Sequence, residues 1–185
     1  EKIYDFINFG YKYIFKDNCS FFKDVFHLPA GTVGTFDDTR NFKIQKIWNK
    51  LSKNEEEMSY KEAVDGTKKL LIKSVERCLR SDVPIAFCLS GGIDSNALIS
   101  IAKKECGYDV NGYTVMNTNE KYEEKELVFR TVNYLNIKHK ILNVGEGDLL
   151  DDLNQAIKGY SGPLLNSNYL EHWKLMNLIK NDGFK

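Results

Sequence analysis

Proline is scarce in this chain, with three among 185 residues. That excludes a Pro-rich spacer or a collagen-like repeat. Cysteine is present but unpaired in pattern. Cys19, Cys78, Cys88 and Cys106 form no C-x-x-C pair, and only three histidines accompany them. Neither a zinc module nor a disulfide framework fits, and reduced thiols in the cytoplasm are the reading. Net charge is absent, since 26 Lys+Arg balance 26 Asp+Glu. Bulk charge therefore recruits neither nucleic acid nor an anionic membrane. No apolar run approaches the roughly 20 residues of a membrane span. No signal-peptide pattern opens the chain, and no repeat or low-complexity segment interrupts it. The two commonest phosphate loops, G-x-x-x-x-G-K-S/T and G-x-G-x-x-G, are missing as well. The first residue is Glu1 rather than methionine, which reads as a piece of a longer protein.

What is present centres on Ser90-Gly91-Gly92-Ile93-Asp94-Ser95. The apolar run Val83 to Leu89 precedes it and predicts a buried parallel strand. Asn96 to Lys104 follows and predicts a helix. The hexamer is thus a strand–turn–helix corner. Adjacent glycines allow a tight turn and close approach of a ligand. The helix N-terminus directs free N–H groups and partial positive charge at that place. Ser90 and Ser95 add hydroxyls. The sum is a cradle for phosphate or pyrophosphate, with Asp94 suited to an accompanying Mg²⁺. A plain Ser/Gly turn with a capping Asp94 is the simpler alternative.

Along the chain, residues 1 to about 50 are aromatic-rich and predict a short helix near the start. A second short helix is expected over Phe21 to Leu28, ending at Pro29-Ala30-Gly31. Two strands follow, Gly31 to Phe36 and Asn41 to Gln45, joined by Asp37 to Arg40 as a hairpin. Trp48 closes the segment. His27 has no acid or nucleophile paired with it and reads as structural. The charge run within residues 51–58 predicts a solvated linker. Ser59 and Glu62 form a capping box for a long helix, with Ala63, Leu70, Leu71, Val75, Cys78 and Leu79 as its apolar stripe. Val110 to Asn117 predicts a second strand, Glu123 to Leu135 a helix, and Lys138 to Val144 a third strand. Asp148 to Lys158 predicts a helix with Leu149, Leu150, Leu153 and Ile157 inward. Tyr169 to Asn181 predicts the last. Alternating strands and helices imply right-handed crossovers and a parallel α/β sheet with helices on both faces. Ligands of such sheets sit beyond the carboxyl ends of the strands. Val115 ends the second strand, so it is either near an adenine or a plain core residue.

The hexamer matches the S-G-G-x-D-S loop of the ATP pyrophosphatases. With Leu28-Pro29-Ala30-Gly31, Trp48, Tyr113-Thr114-Val115 and Tyr122-Glu123-Glu124, the chain resembles the glutamine-hydrolysing asparagine synthetase family over nearly its whole length. The resemblance implies an adenine nucleotide alpha hydrolase-like, Rossmann-like fold for residues 59–185. It implies that residues 1–50 are an α+β remnant of a glutaminase domain. It further implies that Ser90, Gly91, Gly92, Asp94 and Ser95 hold the pyrophosphate portion of ATP, that Asp94 holds Mg²⁺, and that Leu89 and Val115 line the adenosine pocket. A carboxylate, aspartate in the family, would be adenylated and then amidated by ammonia from the glutaminase domain.

Two departures stand out. The family's second loop, S-G-x-G-x-D-E on a fourth strand, has no counterpart before Lys185. The sheet is therefore expected to show an open edge at the first strand, and the chain alone is expected to be inactive. The stretch before Pro163 is Tyr160-Ser161-Gly162, without the carboxylate that is common there in the family. Other readings are a different ATP pyrophosphatase, disfavoured by the L-P-x-G segment, and a non-catalytic nucleotide-binding module.

Overall fold

A computed structural model describes residues 2–47, 57–117, 124–145, 148–160 and 162–184. Trp48, Tyr122, Glu123, Ser161 and positions 51–56 of the expected linker lie outside the described residues. The chain divides into two compact units, Glu1–Glu57 and Met58–Lys185.

The first unit opens with α1 (Lys2–Phe9) and a 3₁₀ turn at Tyr11–Phe15. Its hairpin pairs β1 (Thr32–Phe36) with β2 (Phe42–Lys46) antiparallel. Asp37 organises the turn by accepting the N–H groups of Thr39 at 3.0 Å and Asn41 at 2.9 Å. Its bond from the Thr39 hydroxyl, more than any other, lowers its carboxyl pKa. Gly34 lies under the Phe42 ring, which a Cβ there, at 2.6 Å, would push aside. The helix expected over Phe21 to Leu28 does not form. Asp24 takes φ +60°, which breaks the right-handed run. Ser20 bonds locally with Phe22 at 3.0 Å, and Cys19 bridges Phe26. Short side-chain bonds to backbone have outcompeted the helix.

The second unit starts with α2 (Tyr60–Cys78). Ser59 Oγ accepts the Glu62 N–H at 3.3 Å, and Glu62 Oε2 accepts the Ser59 N–H at 2.8 Å, completing the capping box. The sheet follows as β3 (Ala86–Cys88), β4 (Asn111–Asn117) and β5 (Lys138–Val144), all parallel, in the order β3-β4-β5. α3 (Ile93–Lys104) and α4 (Glu124–Leu135) are the crossovers. α5 (Leu149–Tyr160) packs on α6 (Ser167–Asn181), which lies on β4 and β5. β3 is shorter than the expected Val83 to Leu89. Pro84 has no N–H to give, and the Ile85 N–H donates instead to the Tyr108 hydroxyl at 3.2 Å.

Alternation along β4 divides the core between the two faces of the sheet. Val110 and Met116 pack with Val75, Leu89, Ile99, Ala102, Val128, Leu135 and Ile137. Tyr113 packs with Leu175 and Ile179 of α6. The Tyr113 hydroxyl donates to Asp182 Oδ2 at 2.7 Å, while Lys140 Nζ donates to Oδ1 at 2.6 Å. Burial first, then Asp182, pushes the Tyr113 phenol up to about 12. These bonds fasten the end of α6 to the strands. The inward face of α5 differs from expectation. Ala156 is buried, whereas Leu149 and Leu150 are exposed. α5 approaches α6 so closely that a Cβ on Gly159 would meet Trp173 Nε1 at 2.7 Å. Small residues, not the leucines, suit that approach.

Ile99 is 1% exposed and Leu150 is 71% exposed. Ile99→Ala is therefore expected to destabilise the protein by about 2–5 kcal/mol. Leu150→Ala should stay within about 0.5 kcal/mol. Urea denaturation of the two variants checks both.

Candidate functional site

The Ser90–Ser95 corner lies just past β3, at the carboxyl edge of the sheet. The Leu89 N–H donates to the Tyr113 carbonyl at 2.8 Å, extending the ladder one residue beyond the strand. Gly92 is the N-cap of α3, with φ −73° and ψ 151°. That is ordinary extended backbone, so its glycine is not needed for the dihedral angles. A Cβ there would crowd Ser90 Oγ at 3.3 Å. The helix begins at Ile93, three residues earlier than the Asn96 start expected, so Asp94 and Ser95 belong to its first turn.

Three of the expected residues are drawn together by hydrogen bonds. The Ser90 N–H donates to Ser95 Oγ at 3.2 Å, the two hydroxyls stand 2.9 Å apart, and the Gly92 N–H donates to Ser90 Oγ at 3.2 Å. Ser95 Oγ is also within reach of the Ser90 and Gly92 carbonyls, at 3.2 and 3.1 Å. Gly91 bridges Ser90 and Gly92, half-buried. Asp94 is exposed, and its carboxylate makes no hydrogen bond to another described residue. No side chain caps α3, so its first N–H groups, at Ile93, Asp94 and Ser95, precede any helical acceptor. The corner therefore offers backbone donors, hydroxyls and one carboxylate together. Among the described residues no group of three His, Cys, Asp or Glu could hold a metal. A lone Asp94 nonetheless suits Mg²⁺, which usually takes one or two protein carboxylates beside substrate phosphates.

Leu89 and Val115 are not brought together. Leu89 is 3% exposed within the core under α3 and α4. Val115 is half-buried on the opposite face, against the α6 cluster. A cavity of about 340 Å³ opens further along the same edge, lined by Leu142, Val144, Leu149, Leu170 and the Asp152–Lys174 ion pair.

Two features were missed by sequence reasoning. Asn96 Nδ2 donates to the carbonyls of Ser90 at 3.0 Å and Gly92 at 2.7 Å, and its Oδ1 accepts from the Thr131 hydroxyl of α4. An amide directly after the hexamer was the available signal. Behind the loop, the buried Thr114 hydroxyl donates to the Leu89 carbonyl at 2.7 Å and meets His139 Nε2 at 2.8 Å. The carbonyl can only accept, so Thr114 spends its proton there and His139 Nε2 must be protonated. Nothing in the sequence paired positions 25 residues apart.

The sequence profile of the asparagine synthase family matches residues 66–185, a span that contains the loop and the whole parallel sheet. The chain belongs to the asparagine synthase family. Asparagine synthetase (glutamine-hydrolyzing) 2 of Bacillus subtilis is 30% identical over 146 residues, covering 73% of this chain and 19% of that protein. Amidase chyE of Penicillium rubens is 26% identical over 141 residues, covering 69% and 21%. The chain thus spans about a fifth of the length of these two relatives. Glutamine-dependent NAD+ synthetase from Acinetobacter baumannii, solved in complex with ADP, is 19% identical, with a TM-score of 0.42 over 82% of this chain and 28% of that one.

Burial lowers the pKa of His139 from 6.5. The folded protein favours the neutral ring, so below about pH 6.5 the unfolded chain binds the extra proton first. Stability is then expected to be full above pH 6.5. It should decline as pH falls from there toward the folded-state value, and level off below it. Denaturation curves across that window, with a smaller decline in His139→Gln, check this.

Proposed function

We propose that this chain is the ATP-binding part of an asparagine-synthetase-like amidotransferase, a carbon–nitrogen ligase that adenylates a carboxylate with MgATP. Membership of the asparagine synthase family supports the reaction class. The observation that carries the reading is the corner itself: an uncapped helix N-terminus with two hydroxyls and one carboxylate at the carboxyl edge of a parallel sheet. Ser90, Gly91, Gly92 and Ser95 bind the pyrophosphate portion of ATP. Asp94 would hold Mg²⁺, which would supply positive charge against the departing pyrophosphate. Val115 flanks the adenosine from the α6 face, while Leu89, buried on the opposite face, holds the base of the loop rather than lining that pocket.

In the proposed reaction an acceptor carboxylate oxygen attacks the α-phosphorus, and the bond to the β-phosphate oxygen breaks. Pyrophosphate leaves. Ammonia then attacks the acyl carbon, AMP departs with the carboxylate oxygen, and an amide remains. Catalysis by the corner is orientation of the triphosphate and stabilisation of charge that grows on the leaving group. Ammonia comes from the glutaminase domain of the longer protein, of which residues 1–50 are the remnant. Residues 51–58 link it to the ATP-binding domain at 59–185. The acceptor is aspartate or another carboxylate. Aspartate is the first acceptor to test; with no acid in Tyr160 to Gly162, the alternatives are a different carboxylate, a role taken by another residue, or lost synthesis. We place the protein in the cytoplasm. Its cysteines are free, and no helix among the described residues is long and apolar enough to cross a membrane.

Calorimetric titration with MgATP tests this reading. Binding is expected, and Ser90→Ala and Asp94→Ala should each weaken it about tenfold or more, the worth of a charge-assisted bond. The full-length protein should release AMP and pyrophosphate only when the acceptor is present. A folded chain that binds no MgATP, or variants that bind as tightly as the parent, would overturn it.

A further inference from the structure

We infer that Asn96 and Thr131 are positioning residues that set the polarity of the Ser90–Ser95 loop for a phosphate ligand. The inference rests on the nucleotide reading of that loop. A backbone loop presents to an anion whichever dipole ends face it. Carbonyl oxygens turned toward phosphate would repel it; the Gly92 carbonyl is already held in part by the Asn96 backbone N–H at 3.3 Å, so the Ser90 carbonyl depends most on side chains. Here the Ser90 and Gly92 carbonyls are both captured by one amide group, Asn96 Nδ2, at 3.0 and 2.7 Å. With these two oxygens held against the first turn of α3, the adjoining peptide N–H groups at Gly91 and Ile93 point the other way.

The amide can do this only in one orientation. If it were flipped, Oδ1 would confront two carbonyl oxygens, with no proton between them. What holds the orientation is Thr131, whose hydroxyl donates to Oδ1. The same hydroxyl lies 3.1 Å from the Leu127 carbonyl one turn earlier in α4. Thr131 thus has a second acceptor on its own helix, and the bond to Asn96 joins α4 to the loop. A leucine at 96 would keep the shape and the backbone N–H bond to Gly92, and lose the side-chain bonds to Ser90 and Gly92. A valine at 131 would keep the shape and lose the one donor that fixes the amide.

The test compares Asn96→Leu, Thr131→Val and Thr131→Ser in the full-length protein. MgATP affinity, adenosine affinity and melting temperature are measured for each. Asn96→Leu is expected to weaken MgATP by about tenfold or more, as loss of bonds that orient a charged ligand does. Thr131→Val should weaken it several-fold, and Thr131→Ser should restore affinity near the parent's. Adenosine, which lacks phosphates, should bind alike in all four proteins. The Thr131 pair decides the matter if Asn96→Leu fails to fold. Unchanged MgATP affinity in Thr131→Val, failure of serine to restore it, or equal losses for adenosine and MgATP would overturn the inference while leaving the nucleotide reading intact. A folded parent that binds neither ligand would remove the nucleotide reading and this inference with it.

Discussion

A backbone cradle accepts an anion only when its carbonyls are turned away, and at this carboxyl edge that condition rests on the Ser90 and Gly92 oxygens. Both are held from the helix side by Asn96, with Ser95 Oγ in reach of each. The consequence is local and electrostatic. The α3 terminus keeps its unpaired N–H groups and their partial positive charge, because no side chain of the loop folds back to cap them. Ser90 and Ser95 engage each other instead of the helix end. A ligand with negative oxygens would meet donors already arranged, so little reorganisation is required on binding.

The same edge is supported from beneath by a polar chain in an otherwise apolar layer. Thr114 is 5% exposed, and it joins the Leu89 carbonyl to His139. Leu89 carries the last backbone bond before the loop, to Tyr113. The point where strand becomes loop is thus pinned by two bonds from β4. A buried hydroxyl with both roles satisfied costs little, whereas one left unpaired costs about 1–3 kcal/mol. The arrangement therefore favours one position for the strand end over nearby alternatives.

Much of this fold was legible because periodicity and turn chemistry agreed. β5 runs over Lys138–Val144 as expected, α2 starts at the Ser59–Glu62 box, and Asp37 turns the hairpin. Ser90, Gly92 and Ser95 were legible as a unit because their contacts span at most five residues. What failed was decided by contacts that sequence does not display. The Phe21 to Leu28 segment has helical spacing, yet Asp24 adopts a left-handed φ and Cys19 pairs with Phe26. The leucines of α5 suggested an inward face, but Ala156 is the residue buried there, and Gly159 is the one set against Trp173. Leu89 and Val115 shared an expected pocket, but alternation and register place them on opposite faces of the sheet. Asn96–Thr131 spans 35 residues and joins two helices, so no local pattern encodes it.

The position of β3 explains why helices must contribute to holding the loop. Among the described residues β3 pairs with β4 alone, over three residues, and so forms an edge of the sheet. Pro84 and the Tyr108 hydroxyl at Ile85 shorten it further. A short edge strand resists unwanted pairing, but it is also a weak anchor, with ladder bonds on one side only. A loop hung from such a strand would move with it. Here the restraint comes from the other direction: Ile99 and Ala102 seat α3 in the core beside Val128 of α4, and Thr131 ties α4 to Asn96. The loop is thus fixed between one strand and two packed helices. Its geometry depends on the apolar layer as much as on its own hydrogen bonds.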